Sequence, residues 1–128
     1  MFCMLRTLPF LAICVLLTAC GPSGVSVYDR NDSLAGTVEV ETADNAIVYD
    51  RNDSISGRVQ GNDVSDQNDI RIGRVRSDNN IEDRDGIRVG RLVDGQRCTD
   101  RDDVTAGRIS ERIDAQAAGG ACLLLLIR

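Results

Sequence analysis

The chain has 128 residues, with 15 basic residues that are all Arg set against 20 acidic ones, and it contains no His, Lys or Trp. Without His or Lys it cannot build a Ser-His-Asp triad, a Cys-His pair, a His-rich zinc site, a P-loop or a Schiff base. Its net charge of −5 argues against a nucleic-acid or anionic-membrane surface.

The N-terminus carries one positive charge, Arg6, then an apolar run from Leu8 to Leu17, then small residues leading to Cys20. That order reads as a secretory signal peptide over residues 1–19. The apolar run is shorter than the roughly 20 residues a spanning helix needs. Leu17-Thr18-Ala19-Cys20 resembles the lipobox of bacterial lipoproteins. The resemblance implies a diacylglyceryl group on the Cys20 thiol, with acyl chains such as palmitate, and cleavage just before it. Several acyl chains exceed the single-chain threshold for stable anchoring. Gly21 stands where an inner-membrane retention signal would usually show Asp, which directs the expected address to the outer membrane, or to the cell membrane of an organism with only one. Residues 20–26 then form a lipidated tether, and residues 27–128 one β domain.

From Val27 to Ile109 a single pattern is written five times: VYDRNDSLAGTV, VYDRNDSISGRV, VSDQNDIRIGRV, IEDRDGIRVGRL and CTDRDDVTAGRI. Each copy has an Asp (Asp29, Asp50, Asp66, Asp83, Asp100) and, seven residues on, a Gly (Gly36, Gly57, Gly73, Gly90, Gly107). An apolar residue or Cys precedes the Asp by two positions, and an apolar residue follows the Gly by two. The polar dipeptides between them, Asn31-Asp32 and its counterparts, suit a two-residue type I′ turn, because Asn, Asp and Gly tolerate positive φ. Counting outward from such turns places Asp66 opposite Arg71 and Asp83 opposite Arg88, and sets each leading apolar residue opposite the Gly. A side chain of hydrogen size there lets a neighbouring strand approach closely. The steps between copies leave an insertion only in the first connection, around Glu41 to Asn45. The expected fold is therefore all-β, with about ten short strands whose Val, Ile and Leu share one interior.

After the fifth copy, Ser110 to Ala118 reads as a short helix capped by Ser110 and ended by Gly119-Gly120. The run Leu123–Ile127 is too short to span a bilayer and reads as a closing strand or plug, or else as a sticky tail. Of the five cysteines, Cys3 and Cys14 lie in the signal and Cys20 takes the lipid. Cys98 and Cys122 remain, as a disulfide or as two small buried thiols.

Five copies at constant Asp-to-Gly offset, an export signal and a terminal apolar run together resemble the five-fold β-flower proteins. The likeness covers Val27 to the C-terminus. It implies hairpins around a pseudo-five-fold axis with the hydrophobic C-terminal segment closing the core, but it carries no activity. The terminal run here is Leu and Ile where that family commonly has aromatics, and a lipobox is not general to it. Curli subunits also have five strand-turn-strand repeats, but they use Gln and Asn ladders where this chain has Asp and Arg, and stacked like charges oppose a fibril.

The functional expectation is a membrane-anchored structural or interaction module without catalysis or cofactor, its partners a membrane through Cys20 and an unidentified protein. A calcium-binding alternative rests on oxygen ligands at alternate positions, as in Asp29-x-Asn31 and Asp100-x-Asp102. The third position offers Ser33, Ser54, Ile87 or Val104, so such sites would be weak. A self-assembling surface protein is a further alternative. A carboxylate-pair enzyme would need two Asp converging in a cleft.

Overall fold

The computed structural model describes residues 24–127. The residues read as a signal peptide, Cys20 and most of the expected tether therefore lie outside the described residues. Ten antiparallel strands close into a barrel: β1 Val25–Asp29, β2 Leu34–Thr42, β3 Asn45–Asp50, β4 Ile55–Gln60, β5 Asp63–Asp66, β6 Arg71–Val75, β7 Asn80–Asp83, β8 Arg88–Val93, β9 Arg97–Asp100 and β10 Thr105–Ile109. Each strand pairs with its neighbours in sequence, and β1 pairs with β10 to complete the ring. Strand β1 begins at Val25, so the folded domain takes in two residues assigned to the tether. The insertion of the first connection does not make a loop; it lengthens β2 and β3, which pair from Gly36↔Asp50 out to Thr42↔Asn45.

The ten repeat positions expected to form the interior all do so. Val27, Val48, Val64, Ile81 and Cys98, with Val38, Val59, Val75, Leu92 and Ile109, are each no more than 2% exposed. Alternation along short strands turns these side chains to one face, and closing the sheet gives them a common centre.

Within every hairpin the leading apolar residue faces the Gly, as in Val27↔Gly36 and Cys98↔Gly107. The turn itself differs from the expected two-residue form. Asp32 N–H donates to the Asp29 carbonyl at 3.0 Å and Asp29 N–H to the Ser33 carbonyl at 2.9 Å, which encloses a three-residue loop. Only the last loop residue has positive φ: Asp32 at 63°, Asp53 at 65°, Asp69 at 64°, Gly86 at 81° and Asp103 at 63°. This is the pattern of a type I turn followed by a bulge, and the register shifts by one residue in all five hairpins. Arg71 therefore faces Ser65, and Arg88 faces Glu82, rather than Asp66 and Asp83.

The last strand leads into helix α1, Ala115–Cys122, and then a π-helical segment, Leu123–Ile127. This corrects the expected helix in three respects. Asp114, not Ser110, precedes the first turn, and it makes no side-chain cap. Ser110 instead ties the end of β10 to β1: its Oγ accepts from Ser26 N–H at 3.2 Å, and its own N–H donates to the Ser26 carbonyl at 2.8 Å. Gly119 and Gly120 do not end the helix; they lie buried inside it. A Cβ on Gly119 would come within 2.8 Å of the Val75 methyls, and one on Gly120 would collide with Val59. Close packing inside the barrel has overridden the usual preference of glycine for helix ends.

Candidate functional site

The barrel has two unlike ends. The five hairpin loops form one, called here the tip end. The connections between hairpins form the other, the link end, where β1 begins and α1 enters. The helix passes its glycines against Val75, Val59 and Val64, then delivers the π-helical segment to the level of the repeat glycines.

There the fit is one to one. A Cβ on Gly73 would meet a methyl of Leu123, on Gly57 of Leu124, on Gly36 of Leu125, on Gly107 of Leu126 and on Gly90 of Ile127, each at 2.7–2.8 Å. Successive residues of the run thus step back one hairpin at a time around the ring. An α-helix turns roughly 100° per residue, whereas five equivalent wall units stand roughly 72° apart, so the wider i→i+5 winding suits this wall better. The same glycines also admit the next hairpin, because their Cβ atoms would overlap the carbonyl oxygens of Tyr49, Ser65, Glu82, Thr99 and Tyr28. Close approach of the neighbouring strand was expected from the sequence; the aliphatic partner was not. The available signal was numerical, five apolar residues for five repeats. The disulfide between Cys98 of β9 and Cys122, with Cα atoms 6.0 Å apart, fastens the end of α1 to the wall.

The five repeat aspartates are occupied locally. Asp29 Oδ1 accepts from Asn31 N–H at 2.8 Å and Ser33 N–H at 3.0 Å. Asp50, Asp66, Asp83 and Asp100 repeat the arrangement at 2.8–3.1 Å. An Asp side chain that binds its own backbone two residues on is an Asx turn, which accounts for the residue type without a metal. Among the described residues no group of three or more Asp, Glu or Cys converges as a metal site.

Five ion pairs join charged side chains of the outer wall and the loops among the described residues. Glu82, only 8% exposed, accepts from Arg74 Nε at 2.9 Å and Arg76 at 3.4 Å. Arg71 binds Asp63 at 3.1 Å, Arg88 binds Asp103 at 2.6 Å, and Arg108 reaches Asp32 at 3.3 Å while lying over the Tyr28 ring. These are the ionic partners, in place of the cross-strand Asp66–Arg71 and Asp83–Arg88 pairs expected from the two-residue turn. An open groove of about 360 Å³ on this wall is lined by residues including Asp29, Asp32, Arg97 and Arg108. In a second groove, Tyr49 lies beside Glu39. Burial raises the Tyr49 hydroxyl above its ordinary pKa, and Glu39 and Glu41 push in the same direction, so it stays protonated near neutrality.

The class of protein that these features define is a closed antiparallel barrel of five hairpins, plugged by its own C-terminal helix. No protein-family model, curated protein or solved structure matches the chain. Among the described residues no helix is long and apolar enough to cross a membrane.

Proposed function

We propose that the mature chain is a lipid-anchored structural or interaction module without catalytic activity, related in fold to the five-fold β-flower proteins. The observation that carries this reading is the plugged interior. Ligand sites in barrels are usually in the mouth or lumen, and here the chain's own Leu123 and Leu124 are buried in the lumen. The Asp residues that would be the first candidates for acid-base chemistry or calcium hold hairpin turns instead. The closed strand order leaves no unpaired edge among the described strands, which speaks against fibril growth by strand addition. What remains for function is the outer surface, held at a membrane by acyl chains on Cys20. The mature chain, with 20 acidic residues and 14 Arg, is poorly suited to nucleic acid.

Metabolic labelling with a palmitate analogue and detergent-phase partition test the anchor. The wild-type protein should carry label and enter the detergent phase, while Cys20→Ser should do neither. An unlabelled, water-soluble mature protein with a free Cys20 thiol would refute the anchored reading.

A further inference from the structure

The tip end differs from the rest of the surface in charge and in exposed apolar area. The five loops, residues 29–33, 50–54, 66–70, 83–87 and 100–104, hold 11 Asp and four Arg, a net charge of −7. Two wall arginines, Arg88 and Arg108, reach the loop carboxylates Asp103 and Asp32, which leaves −5 on this end, while the remainder of the mature chain, with nine acidic residues and eight Arg, carries −1. The net negative charge of the domain is thus concentrated on one end. The same end carries exposed large aliphatics at two sets of positions: Ile70, Ile87 and Val104 close three of the loops, where the first two hairpins have Ser33 and Ser54, and Leu34 and Ile55 open β2 and β4 opposite Tyr28 and Tyr49, all 38–57% exposed. Turn chemistry explains the Asp residues but gives no reason for an Ile or Val beside them in water. Between the tips, Leu125, Leu126 and Ile127 are only half-buried, so the mouth of the barrel also has an apolar floor.

We infer that the tip end is a docking face for a basic protein segment, one whose apolar side chains settle among the hairpin tips while flanking Lys or Arg residues meet the Asp carboxylates. This deepens the proposed interaction module and rests on that reading. Charge decides among the occupants. A second copy would bring −5 against −5, and an anionic membrane would be repelled in the same way, whereas a basic segment gains from the field and from apolar contact together. Position agrees with this choice. Strand β1 starts at the link end, and the four residue steps from Cys20 to Gly24 reach at most about 14 Å. A lipid on Cys20 therefore holds the link end at the bilayer and turns the tips away from it.

The test uses the lipidated full-length protein in neutral detergent and a fluorescent amphipathic helical peptide of Leu and Lys. Two tip variants separate the contributions: I70S/I87S/V104S removes apolar surface, and D53N/D69N/D102N removes charge at residues that make no ion pair with a described residue. D44N/D78N/D94N removes the same charge at the link end. The peptide should bind the parent protein, and each tip variant should weaken binding at least about tenfold, with the link-end variant unchanged. A Leu and Glu peptide should fail to bind, and added salt should weaken the Lys peptide. Equal losses from tip and link-end variants, or equal binding of the acidic peptide, would overturn the proposal. So would tip-to-tip dimers in sedimentation or binding of this face to anionic vesicles. The unlipidated Cys20→Ser protein should bind the peptide equally well, so failure of the anchor and failure of the docking face are read separately.

Discussion

The barrel wall and the segment that fills it solve one packing problem from opposite sides. The wall is repetitive: five hairpins each present one Gly at the same level, and each removes its own side chain there. The insert has no repeat of its own, yet its residues Leu123 to Ile127 supply one aliphatic group to each vacancy. The wall repeats the same bulged hairpin five times, and the insert changes its winding, from α to π, at the point where it meets the glycines. The difference shows which partner sets the geometry. A closed ring of ten hydrogen-bonded strands cannot change its angular spacing, whereas a short helix can change its hydrogen-bond step.

The strongest way to break this complementarity is to end the chain after Cys122, which keeps the disulfide and removes the five aliphatics. Leu123 and Leu124 are buried and contribute roughly 1.5–3 kcal/mol each, and the three half-buried aliphatics add part of that each, against a total stability of about 5–15 kcal/mol for a domain. Calorimetry should therefore show loss of a cooperative melt, and a retained transition would mean that the wall is stable alone. Next in size, Leu124→Ala should cost about 3–5 kcal/mol, since Leu124 is 6% exposed and sits against a wall that cannot collapse onto the cavity. Chemical denaturation measures this directly.

Replacing both Cys98 and Cys122 by Ala should cost about 3.5 kcal/mol, the loop-closure value for a bridge spanning 24 residues. The melting temperature of a 100-residue domain falls by about 4–8 °C per kcal/mol, so the shift is easily read. A smaller effect, about 1–2 kcal/mol, is expected for Asp50→Ala, which leaves the amides of Asn52 and Ser54 without their acceptor. Asp50→Asn keeps an acceptor oxygen and should lose less. A rise in melting temperature with calcium that Asp50→Asn abolishes would instead favour a metal role. Smallest of all, Arg71→Ala should change stability by under about 0.5 kcal/mol, because both it and Asp63 are exposed.

The wall was largely legible in the sequence, because period-two burial and a fixed Asp-to-Gly offset act locally and were repeated five times. The turn was displaced by one residue for a chemical reason. Asn-Asp suits positive φ at both positions of a type I′ turn, but the Asp29 carboxylate, by capping two amides, favours a longer loop in which Asp32 alone takes that conformation. The insert was harder to read. Five consecutive aliphatics have no periodicity to separate strand from helix, and Gly119-Gly120 carries the signature of a helix end although its role is close contact with Val75 and Val59. Of the candidate site, the sequence showed the Asp-rich loops, but not that Leu34, Ile55, Ile70, Ile87 and Val104 stay exposed beside them, since exposure depends on the closed ring.

The pairing of each glycine with one aliphatic is tested most directly by double-mutant cycles on unfolding free energy. Gly57→Ala combined with Leu124→Ala should show a coupling of about 1 kcal/mol or more, because the shorter side chain relieves part of the clash that the new methyl creates. Gly57→Ala combined with Leu126→Ala, whose methyl faces Gly107 instead, should be additive within about 0.5 kcal/mol. Equal coupling in the two cycles would contradict the one-to-one fit.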